Sequence, residues 1–111
     1  MLRCVRHPTA VIAIANNMGQ QIYRYCIRNN LNIPKDMSLL VYDDLPWMSM
    51  LEITVVSHPI QRIGKLAGKI ILRRIAKQIS KEVRITEKVQ TTIIERGSVI
   101  YHIYSRVCSH Y

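Results

Sequence analysis

Two short apolar runs constrain this chain more than any other feature. Thr9–Ala15 reads T-A-V-I-A-I-A and Met37–Tyr42 reads M-S-L-L-V-Y, and the two bracket a segment with apolar residues at helical spacing. Runs of this length suit strands covered on both faces, as in a parallel sheet. Parallel neighbours need a crossover of helical length, and that crossover is right-handed almost by rule. Asn16-Asn17 supplies an N-cap, because an asparagine oxygen accepts from the free N–H groups of a first turn. The spacing predicts a helix over about Met18–Asn29, with Met18, Ile22, Cys26 and Ile27 facing a core. Asn30 is suited to a left-handed stop, and Pro34 forbids continuation.

A third β-branched run, Ile53–Ser57, follows a loop over Leu45–Glu52 that carries Pro46, Trp47, Met48 and Met50. The clearest helix spans Ile60 to about Ser80, with Ile60, Ile63, Ala67, Ile70, Ile71, Ile75 and Ile79 at three- and four-residue spacing. Gly64 and Gly68 on it permit close packing on a neighbour. Val83–Glu95 reads as a closing strand of mixed polarity. The fold class is therefore α/β, a parallel sheet flanked by helices, and 111 residues make one domain.

Sixteen Lys and Arg against seven Asp and Glu give a net charge of +9. Most of the excess lies in one segment, at Arg62, Lys65, Lys69, Arg73, Arg74, Lys77, Lys81, Arg84 and Lys88. Interleaved with the apolar stripe, these are the wet side of an amphipathic helix. The alternative is a small basic nucleic-acid-binding protein that uses this face. Cys4, Cys26 and Cys108 are odd in number and far apart, so they form neither a metal spacing nor a disulfide framework, and a reducing, cytoplasmic setting fits. No apolar run is long enough to span a bilayer. A secretory leader over Met1–Ala15 is interrupted by Pro8.

In an open α/β sheet, ligands bind beyond the carboxyl ends of the strands. That rule singles out Asn16-Asn17 after the first run and Asp43-Asp44 after the second, on one edge. Amide donors beside carboxylate acceptors suit hydroxyl-rich ligands, although capping and turn formation explain the same residues. Asp43 and Asp44 are adjacent, so their side chains diverge and do not make a spaced acid/base pair. His7, His58, His102 and His110 are scattered, and no nucleophile elbow, P-loop or dinucleotide fingerprint occurs. The chain reads as a binder without a cofactor, not an enzyme. Cys26 is a small core residue. Trp47 either stacks on a ligand or covers its own loop.

The stretches P-T-A-V-I-A-I-A-N-N-M (Pro8–Met18) and L-N-I-P-K-D-M-S-L-L-V-Y-D-D-L-P-W (Leu31–Trp47) resemble the lactose-repressor (LacI/GalR-type) family of bacterial transcription regulators. I-T-V-V-S-H-P-I-Q-R-I-G (Ile53–Gly64) and T-T-I-I-E-R-G-S, ending at Ser98, continue the match in order. The resemblance implies a periplasmic-binding-protein-like effector domain of two α/β lobes with a small metabolite in the cleft. It places Asn16, Asp43 and His58 at effector-contacting positions, and Gln21, Tyr25, Arg28, Trp47 and Met50 on a homodimer surface. The chain departs from the family pattern where Asn17 replaces the usual Asp and Val41 the usual Gly.

On that plan residues 1–98 form the C-terminal portion of a sugar- or effector-binding and dimerisation domain, and residues 99–111 an atypical tail. The first half of the effector domain and the DNA-reading headpiece have no counterpart in the sequence. Operator DNA would be reached only through such a headpiece. The helix after Pro59 belongs by this plan to the other lobe, so its apolar stripe is expected to lack a surface to bury. A fragment of a periplasmic sugar-binding protein is the third reading.

Overall fold

The structure is a computed structural model describing residues 8–101. Its elements run β1 (Ala10–Ala13), α1 (Asn16–Arg28), β2 (Ser38–Tyr42), α2 (Pro46–Met50), β3 (Thr54–Ser57), α3 (Ile60–Ile75) and β4 (Thr92–Ile94). The strands form one sheet in the order β1-β2-β3-β4. β1, β2 and β3 are parallel, in the register Ala13 beside Val41 beside Val55. β4 runs antiparallel to β3, so the sheet is mixed rather than purely parallel. The closing segment supplies only Thr92–Ile94 to it, far less than Val83–Glu95.

The core lies under one face of the sheet. Ala13, Leu39, Val41, Ile53 and Val55 are buried with Met48 of α2, and Ile22, Tyr23 and Trp47 pack around them. α1 approaches this face so closely that a Cβ on Gly19 would stand 2.8 Å from Val41 Cγ1. Real side chains do not sit that close, so Gly19 makes room for the Val41 side chain. α1 packs through a narrow strip. Gly19 and Cys26 are its buried residues, whereas Met18 and Ile27, expected to face the core, are exposed.

No described helix lies over the opposite face of the sheet. Ile12 and Ile93 on that side are 65% and 62% exposed, so β1 is covered on one face and not on both. α3 does not fold back to cover it. None of its residues is buried, and Ile60, Ile71 and Ile75 are 63%, 56% and 73% exposed, as expected for a stripe without its surface. A Cβ added to Gly64 or Gly68 would meet nothing within 4 Å.

All three helices end the same way. Leu31 N–H returns to Cys26 O, Ile53 N–H to Met48 O and Gln78 N–H to Arg73 O, at 2.9, 2.8 and 2.9 Å. These are Schellman closures, which require a left-handed residue just past the helix. Asn30, Glu52 and Lys77 fill that place with φ of 54°, 53° and 55°. Asn30 is the stop the sequence suggested. The closure around Lys77 ends α3 at Ile75 instead of near Ser80, and Arg74 then donates to Val83 O at 2.7 Å. The segment expected as a loop after Asp44 contains α2, opened by Pro46 in the first turn, where a missing N–H costs nothing.

Candidate functional site

The carboxyl ends of β1, β2 and β3 share one edge, because Ala13, Val41 and Val55 are in register. Asp43 follows β2 there. Its φ is 71°, and among the described residues it is the one non-glycine left-handed position that closes no helix. Its N–H donates to Val56 O at 3.0 Å, extending the ladder by one residue while the backbone turns. Strain of this kind is retained where the surroundings impose it, and it gathers at binding sites. The Asp43 carboxylate lies 3.7 Å from His58 Nε2, and the two side chains keep 47% and 30% of their surface exposed. His58 also stands beside the Tyr42 ring, with centroids 5.8 Å apart.

Asp44 points elsewhere. Arg96 grips it with two parallel bonds of 2.9 Å, Nη1 to Oδ1 and Nη2 to Oδ2. Nη1 also donates to Ile53 O at 3.0 Å. Hydrogen bonding to Asp44 holds the guanidinium even further above its ordinary value, against the opposing effect of burial. The two adjacent carboxylates thus separate as their spacing required. Asp44 is spent on a structural pair, and the Asp43 carboxylate has His58 as its one charged neighbour within 4 Å among the described residues. Beyond Arg96, the buried Ser98 ties β2 to β3. Its Oγ accepts from Thr54 N–H at 2.7 Å and donates to Leu39 O.

Asn16 is the first residue of α1 and does not cap it; Ala15 holds the cap position in extended conformation. The Asn16 oxygen accepts instead from the Trp47 indole N–H at 2.8 Å. Sequence reasoning missed this bond, and it missed the Arg96–Asp44 pair. The Trp47 ring itself packs half-buried against the core. Gln21, Tyr25 and Arg28 line one open depression where α1 meets β1, together with Val11, Ile22 and Met37, and Met50 is exposed on α2. The structure thus brings Asp43 to His58 and Asn16 to Trp47.

Cys26 is fully buried, and burial pushes its thiol up, which suits a core residue and not a nucleophile. Among the described residues no group of His, Cys, Asp and Glu is placed to hold a metal ion. No described helix is long and apolar enough to cross a membrane. His7, His102, His110, Cys4 and Cys108 lie outside the described residues, as does most of the 99–111 tail.

Residues 1–99 match the family described as Periplasmic binding protein-like domain. The chain belongs to this family. The probable HTH-type transcriptional regulator EndR of Paenibacillus polymyxa is 33% identical over 97 residues, which is 86% of this chain and 27% of EndR. A LacI transcriptional regulator from Bacillus cereus subsp. cytotoxis, known from its crystal structure, has the same fold with a TM-score of 0.75. It is 19% identical, and the match covers 89% of this chain and 35% of that one. A LacI family regulator from Lactobacillus casei, solved with bound sucrose, superposes with a TM-score of 0.68 at 19% identity, over 83% of this chain and 34% of that one. These relatives are transcription regulators and not enzymes. This periplasmic-binding-protein-like chain spans between about a quarter and a half of the length of the curated relatives it matches.

Proposed function

We propose that residues 1–98 act as the effector-binding and dimerisation portion of a LacI-type transcription regulator, taking a sugar or related polyhydroxylated metabolite at the carboxyl edge of the sheet. The observation that carries this reading is the left-handed turn at Asp43, which leaves an unspent carboxylate beside His58 while Arg96 neutralises Asp44. A carboxylate accepts hydrogen bonds from hydroxyl groups, and the Asn16 amide donates to hydroxyl oxygens; His58 closes the same edge. The sucrose held by the Lactobacillus casei regulator supports this ligand class. No bond is made or broken. The ligand works by favouring the conformation that holds it, and can shift the equilibrium only by its difference in affinity for two states.

Gln21, Tyr25 and Arg28 of α1, with Met50 and the α2 segment, form the dimer surface in this reading. Operator DNA is contacted through a separate headpiece, and the regulator works in the cytoplasm. The test is a thermal melt of the 111-residue chain with a panel of mono- and disaccharides, sucrose first. A ligand at a hundredfold excess over its Kd stabilises the folded state by about 2.7 kcal/mol. Asp43→Ala abolishes that gain, and an unchanged gain in this variant overturns the assignment.

A second reading rests on α3, where the exposed Arg62, Lys65, Lys69 and Arg73 share one side of the helix. It requires DNA binding that weakens steeply with salt. Absence of binding at low salt removes it.

A further inference from the structure

The Asn16 side chain is not free to rotate. Its Oδ1 accepts the Trp47 indole N–H at 2.8 Å, and the pair is partly buried. An asparagine amide offers one acceptor oxygen and a two-proton donor, whereas an indole N–H donates only. With its oxygen engaged, Asn16 has its Nδ2 protons left to offer. We propose that Trp47 is a positioning residue for the ligand: it fixes Asn16 as a donor, so that the edge demands an acceptor atom of the ligand at Asn16 and a donor at Asp43. This rests on the effector reading above and goes beyond it, because it assigns the polarity of each contact and names the residue that sets it.

The arrangement selects against molecules that place an ammonium or amide N–H toward Asn16, since two donors would face each other. It favours sugars, whose hydroxyl groups each supply both an acceptor and a donor. The same bond joins two elements. Asn16 opens α1, and Trp47 lies in the first turn of α2, whose exposed Met50 lies three residues further on. A ligand that draws on the Asn16 amide is therefore felt at α2.

Trp47 is the only tryptophan in the chain, so its emission reports on the surroundings of this one ring. The experiment uses the full chain with sucrose, or whichever panel sugar raises the melting temperature. Trp47 is replaced by its benzothienyl-alanine isostere, which keeps the ring and removes the N–H. The expected result is a roughly tenfold weaker sugar affinity, with a lowered melting temperature but a native far-ultraviolet circular dichroism spectrum in the absence of sugar. Asn16→Asp keeps an oxygen for the indole and removes the donor. Its unliganded fold is kept, as read by far-ultraviolet circular dichroism, and its response to sugar is lost. Wild-type affinity in the isostere overturns the proposal; if Asp43→Ala abolishes binding in the same series, the effector reading survives that failure. A chain on which no sugar acts, in any variant, overturns both.

Discussion

α1 and α3 are both amphipathic, both carry glycines on or beside the apolar stripe, and both end in a Schellman closure, yet only one of them is packed. α1 presses Gly19 onto Val41 and buries Cys26. α3 carries more isoleucine and buries none of its residues. The difference teaches that a stripe records what a helix is built to meet, not what it meets within one polypeptide segment. The stripe of α1 finds its sheet close by in the chain, since β1 and β2 flank it. The stripe of α3 is directed at a surface that these residues do not supply, and the bare sheet face at Ile12 and Ile93 repeats the pattern.

The comparison breaks most sharply under truncation of single side chains. Leu39→Ala removes a fully buried side chain and costs about 3 kcal/mol by chemical denaturation, whereas Ile71→Ala stays within about 0.5 kcal/mol of wild type. An equal loss from both would mean that α3 is packed after all. Next in size is the clamp. Arg96→Met deprives Asp44 of both its bonds and costs about 2 kcal/mol, and adding Asp44→Asn to it costs little more, because the two residues act as one unit. The double-mutant cycle measures that coupling directly.

A smaller effect has opposite signs in the two helices. Gly19→Ala drives a methyl group into Val41, and the overpacking exceeds the gain in helix propensity, for a net loss of about 1 kcal/mol. Gly64→Ala meets open space and raises helix content by circular dichroism, since alanine favours the helix by roughly 0.8–1 kcal/mol over glycine. The smallest effect is chemical. Site-resolved alkylation of Cys26 is slower in the folded chain than in urea, because burial shields the thiol and disfavours the thiolate that reacts.

Much of this was legible in the sequence because it is local. The three short apolar runs, the helix between the first two, the left-handed Asn30 and the divergence of Asp43 from Asp44 all follow from spacings of a few residues. The exposed stripe of α3 also followed, from the resemblance to a larger two-lobed family. What stayed hidden depends on partners far away in the chain. Arg96 reaches Asp44 across 52 residues, and Ser98 reaches Leu39 across 59. That α1 buries Gly19 and Cys26 while it exposes Met18 and Ile27 depends on how closely the helix meets Val41, which no periodicity reports. α2 did leave a signal, Pro46 at the start of a helical turn, but five residues are too few to show a period. The Trp47–Asn16 bond joins residues 31 apart and is invisible without the sheet that aligns them.

Amide hydrogen exchange across the chain tests the division most directly. Packed elements exchange only through cooperative opening, whereas an unpacked helix of this length frays on its own. Slow exchange in β2, β3 and α1 together with fast exchange throughout Ile60–Ile75 is the result expected of one finished core and one unpartnered arm. Protection in α3 equal to that of the sheet would contradict it.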